Sequence, residues 1–166
     1  MATMNWAGLK LPRCPQPAGN FRPYNITGNL VFLAGQTCQV DGRMAYTGKV
    51  GEGLSVDEGY QAARICMQNL LAALALAIDD DWTRVQRCIR LTGYVNAAAD
   101  FAEVPRVING ASDLIGELMG ENGHHARTAI GVATLPGNAA VEVEGIFEIS
   151  AATRSDGHPP PFVGGA

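Results

Sequence analysis

The chain has 166 residues, 47% apolar and 17% charged, with a formal net charge of −4; this supports one buried core and leaves no lysine and arginine cluster for nucleic acid, which is not an expected partner. No apolar run approaches the roughly 18 residues that cross a bilayer, the N-terminus lacks a charged start leading into an apolar stretch, and the chain reads as a cytoplasmic protein with no membrane partner. Cys14, Cys38, Cys66 and Cys88 lie without CxxC or metal-ligand spacing and read as small hydrophobes, so no metal is expected.

In chain order, residues 1–22 form a Pro- and Gly-containing extension to a single domain over 1–152, and 153–166 form a Pro/Gly-rich tail around Pro159–Pro161. The sequon at Asn25 carries weight only in a secreted chain and is set aside. Leu30 to Ala34 is a continuous apolar run, predicted to be a buried strand, ending at Gly35. Residues 37–53 hold Asp41-Gly42, Gly48, Gly51 and Gly53, which suits a hairpin or irregular excursion. Their spacing matches no phosphate or dinucleotide fingerprint, and no cofactor is expected.

Ser55-Val56-Asp57-Glu58 is a capping box that opens a helix. Tyr60, Ala63, Met67, Leu70, Leu71 and Leu74 give that helix one apolar face. Asp79-Asp80-Asp81 lacks the spacing of a calcium loop and reads as a solvated turn. Alternation predicts a strand from Thr83 to Val95. A second helix follows, with Pro105 near its start, Gly120 at its end, and an apolar stripe through Val104, Val107, Ile108, Ala111, Leu114, Ile115 and Leu118.

Ala126 to Glu144 reads as a two-stranded hairpin turning at Pro136-Gly137-Asn138. If Thr128, Ile130 and Val132 share the apolar face with Val141, Val143 and Phe147, then Arg127 shares the other face with Glu142 and Glu144. One arginine and paired glutamates on one face mark the place to look for chemistry. A structural ion pair across the hairpin fits the same residues equally well. His124 and His125 read as a solvated loop edging the cleft, since adjacent histidines do not face one ion. The order of elements predicts an α+β sandwich with both helices on one sheet face, the other face covered by water or a further subunit.

Taken together, Pro23-Tyr24, Gly28-Asn29 leading into Phe32-Leu33-Ala34-Gly35-Gln36, Tyr94-Val95 before Phe101, Asn109, Arg127, Leu135-Pro136 and Val141-Glu142-Val143-Glu144 resemble the RidA family, also called the YjgF or endoribonuclease L-PSP family. The resemblance spans roughly residues 20–149 and implies a chorismate-mutase-like α+β fold. It further implies a homotrimer with small-molecule clefts between subunits. The activity it implies is hydrolysis of reactive 2-imino and enamino acids to 2-keto acids and ammonia. In that reading Arg127 binds the substrate carboxylate and Glu142 holds or activates the attacking water, which the main chain of Ala129 helps position. Tyr24 and Asn109 line the cleft. His125 and Thr128 depart from the residues usual in deaminating members, and with the longer N-terminus they mark a divergent subgroup. A non-catalytic trimer holding a small carboxylate is the alternative; the endoribonuclease of the family's older name sits poorly with the acidic balance.

Overall fold

The computed structural model describes residues 5–150, so the expectation for the 153–166 tail lies outside the described residues. The elements are β1 (Asn5–Trp6), β2 (Leu9–Lys10), β3 (Tyr24–Thr27), β4 (Leu30–Thr37), β5 (Gln39–Val40), β6 (Arg43–Met44), α1 (Val56–Ala77), β7 (Val85–Asn96), α2 (Val104–Met119), β8 (Ala126–Val132) and β9 (Val141–Ile149).

Helix α1 starts where its capping box dictates. The Ser55 hydroxyl oxygen accepts from the Glu58 amide at 3.2 Å, and the Glu58 carboxylate accepts from the Ser55 amide at 2.8 Å. Ser55→Ala removes one of these partners and is expected to cost about 1 kcal/mol, read as a lower unfolding midpoint in urea; an unchanged midpoint would contradict it. The aspartate run after α1 is a turn, with Asp79 and Asp80 at φ 53° and 59° and Asp81 accepting from the Thr83 amide at 3.2 Å. Residues 39–44 close as the β5–β6 hairpin through Asp41 and Gly42, at φ 50° and 77°.

Both helices lie on one face of a five-stranded mixed sheet in the order β3-β4-β9-β7-β8, in which β7 and β8 are parallel and the other pairs antiparallel. Met67, Leu70, Leu71 and Leu74 of α1 and Val107, Ile108, Ala111 and Ile115 of α2 are fully buried against Val31, Leu91, Val95, Val143 and Phe147 of the sheet. The helices approach so closely at Gly110 that a Cβ there would lie 2.0 Å from the Tyr60 carbonyl oxygen. Trp6, from the β1–β2 hairpin, stacks on Trp82 with ring centroids 4.4 Å apart and planes 9° from parallel. No helix among the described residues is long and apolar enough to cross a membrane.

Two sequence expectations fail here. The apolar run of β4 is covered on one face only: Val31 and Leu33 lie under the helices, while Phe32 is 42% exposed on the other face. The predicted hairpin over 126–144 does not form, because β7 lies between β8 and β9 and β8 pairs with β7 in parallel. In that register Arg127 stands beside Leu91 and faces the helices, whereas Ile130 pairs with Tyr94 and faces away. Arg127 therefore does not share a face with Glu142 and Glu144, which lie opposite Tyr94 and Thr92 on the uncovered side. The alternation in β8 was ambiguous: Ala129 and Gly131 on one face are nearly as apolar as Ile130 and Val132 on the other.

Candidate functional site

Arg127 sits on an edge strand and reaches back over the first half of α2. Its Nη1 donates to the Asn109 amide oxygen at 2.8 Å and to the Ser112 hydroxyl at 3.0 Å; Nη2 has only a 3.5 Å contact to the Pro105 carbonyl. Pro105, Asn109 and Ser112 follow at spacings of four and three, so one face of α2 carries all three acceptors. Every partner is uncharged, and Arg127 has no ion pair among the described residues. A guanidinium aimed by neutral groups keeps its full charge for an external anion. It opens on a shallow cleft of about 570 Å³ lined also by Ser112, Asp113, Glu117 and His125. The acids of that cleft are engaged: Asp113 accepts from the Tyr60 hydroxyl at 2.8 Å, and Glu117 takes both Arg64 Nη groups at 2.9 and 2.8 Å.

Glu142 lies elsewhere, half-buried on the uncovered face of β9, with its carboxylate over Gly35 of β4. A Cβ on Gly35 would meet Glu142 Oε1 at 2.0 Å, so the missing side chain makes room for the acid at the irregularity between Leu33 and Gln36. Pro15, Pro17, Phe21, Gly35 and Gln36 join Glu142 around a cavity of about 330 Å³, which puts the N-terminal extension against this acid. The carboxylate makes no hydrogen bond or ion pair among the described residues. Burial, and then the charge of Glu144, raise its pKa above the usual carboxylate value. An acid with a raised folded pKa binds more protons folded than unfolded, so its contribution to stability falls as pH rises above the ordinary carboxylate pKa of about 4.3. Glu142→Gln is therefore expected to gain on wild type in thermal stability as pH rises from the ordinary carboxylate pKa through the raised folded one, and to keep that lead above it; parallel stability curves would contradict this.

Tyr24 opens β3, at the sheet edge opposite β8, and lines a third cavity, of about 430 Å³, with Arg22, Phe32, Arg90, Thr92 and Glu144. Ala129 is two residues beyond Arg127 on the edge strand, where the backbone is paired on one side only. One chain thus brings Arg127, Asn109 and the Ala129 main chain together, and leaves Glu142 and Tyr24 apart from them. The strands of Arg127 and Glu142 are two spacings apart, about 10 Å, with the side chains on opposite faces.

Sequence reasoning missed Ser112, although its spacing from Asn109 marks the same helical face, and it missed the opposite roles of the two histidines. His124 is exposed beside Glu121 at 3.4 Å. His125 turns inward, its Nε2 3.0 Å from the Ser112 hydroxyl and its Nδ1 2.6 Å from the Gly123 carbonyl. Among the described residues no group of three His, Cys, Asp or Glu side chains is placed to hold a metal.

Comparisons with known proteins follow the same outline. The family described as YjgF/chorismate mutase-like, putative endoribonuclease, matches residues 2–149. The chain is 40% identical over 150 residues to protein TCP17 of Trypanosoma cruzi, covering 90% of this chain and 93% of that one. It is 27% identical over 141 residues to a 2-iminobutanoate/2-iminopropanoate deaminase of Dermatophagoides farinae, covering 85% and 94%. A solved structure of a protein of unknown function from Agrobacterium tumefaciens superposes with a TM-score of 0.81 at 42% identity, covering 86% of this chain and 87% of that one.

Proposed function

The chain belongs to the YjgF/chorismate mutase-like family, and from that premise we propose that it hydrolyses small 2-imino or enamino acids to 2-keto acids and ammonia. The observation that carries the reading is Arg127: a guanidinium aimed by Asn109 and Ser112, without a carboxylate partner among the described residues, beside an open cleft. A distant relative named as a deaminase of such substrates supports the same chemistry.

In this mechanism the substrate carboxylate docks on Arg127, and the electrophilic C2 is held near a water. Glu142, made a stronger base by burial and by the charge of Glu144, takes a proton from that water as it adds to C2. Returning the proton to nitrogen lets ammonia leave and the carbonyl form. An enamine first takes up a proton at C3 to become the imine, and the protonated form of Glu142 can supply it.

Arg127 and Glu142 of one chain cannot meet on one small molecule, since they face opposite sides of the sheet. The reading therefore requires a second copy of the chain, with Arg127 of one protomer facing Glu142 of the next in a closed trimer. Phe32 and Ile130, 42% and 43% exposed on the uncovered face, are apolar surface that a neighbour would cover.

The test generates 2-aminoacrylate from serine with a dehydratase and follows pyruvate and ammonia. The expected result is faster release of both with protein present. Saturable pyruvate binding without acceleration would replace the hydrolase by a binding protein. Cleavage of RNA by the purified protein that is lost on mutating Arg127 would overturn both.

A further inference from the structure

We propose that Ser112 and His125 are positioning residues: a hydrogen-bond chain from the Gly123 carbonyl through His125 and Ser112 sets Arg127 as an anion receptor and links its anion affinity to a proton. The inference rests on the reading of Arg127 as the carboxylate-binding group.

The direction of every bond in the chain follows from its ends. The Gly123 carbonyl can only accept, so Nδ1 at 2.6 Å carries the proton and donates to it. A neutral ring then leaves Nε2 a bare acceptor, and the Ser112 hydroxyl donates to it across 3.0 Å. With its proton committed, the hydroxyl oxygen presents its lone pairs to Arg127 Nη1, which donates at 3.0 Å. Asn109 takes the other Nη1 hydrogen at 2.8 Å. Both protons of Nη1 are thereby engaged, the plane of the guanidinium is set, and Nη2, held only by the long 3.5 Å contact to the Pro105 carbonyl, faces a ligand.

The surroundings favour the neutral ring. His125 is held below the ordinary histidine value by burial first, and then by the charges of Arg127 and His124, against an opposing contribution from the Gly123 carbonyl. The charged groups around it are otherwise engaged: from α2, Asp113 with Tyr60 and Glu117 with Arg64; from the 120–124 turn, Glu121 with His124. From β8 it faces only the positive Arg127. An anion on Arg127 reverses that balance and favours the imidazolium. By reciprocity, protonating His125 tightens the anion, so affinity rises as pH falls through the titration of His125.

The experiment uses the full chain with pyruvate as the probe, measured by calorimetry from about pH 5 to about pH 8, the range in which a histidine changes charge. Ser112→Ala and His125→Leu are each expected to weaken pyruvate about tenfold, the worth of one hydrogen bond to a charged group, and His125→Leu, which removes the titrating ring, to flatten the pH dependence as well. His125→Gln can offer Ser112 an amide oxygen but cannot titrate, so it is expected to restore affinity while leaving the profile flat. A residue that merely closed the 120–123 turn onto α2 would change stability without removing the pH dependence. Wild-type pyruvate binding and pH profile in Ser112→Ala and His125→Leu would overturn the proposal. Nitrogen NMR of the ring checks the chain without any ligand: the Nδ1–H tautomer supports it, and the Nε2–H tautomer overturns it. Pyruvate binding unaffected by Arg127→Ala would instead overturn the parent reading, and the anion linkage with it, whichever tautomer is found.

Discussion

Replacing Arg127 with alanine is expected to lower kcat/KM for imine hydrolysis about a thousandfold, or about 4 kcal/mol, while the protein stays folded. The size follows from what is lost: a preset, charge-assisted contact to the one part of the substrate that is fully ionised. The fold survives because the guanidinium lies at the sheet edge, and its partners on α2 are open to water once it is gone. Arg127→Lys is expected to recover only part of the rate, since an ammonium cannot span two carboxylate oxygens or satisfy Asn109 and Ser112 together. A shared site makes a sharper demand. Arg127→Ala and Glu142→Gln should each be inactive alone, and the two refolded together should regain a share of the wild-type rate through interfaces that pair an intact arginine with an intact glutamate. A mixture as inactive as its components would overturn the intersubunit assignment and leave the loss at Arg127 to be explained within one chain.

Gly110→Ala is expected to be among the most destabilising single-methyl changes available in this chain, costing about 3 kcal/mol or more. Its Cβ would lie 2.0 Å from the Tyr60 carbonyl oxygen, and backbone cannot swing aside as a side-chain tip can. Helices α1 and α2 would have to separate, loosening the layer through which Ala63, Val107 and Ala111 pack. The expected fall in thermal midpoint is about 6–12 °C. Gly116 on the same helix is the control: a Cβ there meets nothing within 4 Å, and its replacement by alanine should be neutral or stabilise by up to about 1 kcal/mol, the ordinary helix-propensity gain. Equal melting of Gly110→Ala and wild type would show that the helices can part at little cost.

What was legible in the sequence was whatever is decided by near neighbours. The Ser55–Glu58 box, the stripes of α1 and α2, and the Asp41-Gly42 turn each depend on contacts within a few residues, and each stands where the pattern put it. Arg127 and Glu142 stood out for their chemistry, and Asn109 proves to touch Arg127 directly. The pairing of the last two strands was not legible. Insertion of β7 between β8 and β9 is a choice among topologies, and the weak contrast between the two faces of β8 allowed either answer. The face of Arg127 followed that error. Gly35 looked like a strand terminus, and only the distance to Glu142 shows it as the space the acid occupies. His125 looked solvated because its partner, Ser112, is 13 positions away on another element.

The Trp6–Trp82 stack has an optical consequence. These are the only two tryptophans of the chain, so its tryptophan emission is that of one stacked pair, coupled face to face, and undocking of the β1–β2 hairpin should separate the two fluorophores and change that signal. The hairpin leads into residues 15–21, which wall the cavity of Glu142. Intrinsic fluorescence thus offers a label-free record of whether the amino-terminal arm is seated, readable in the same cuvette as the keto-acid assay.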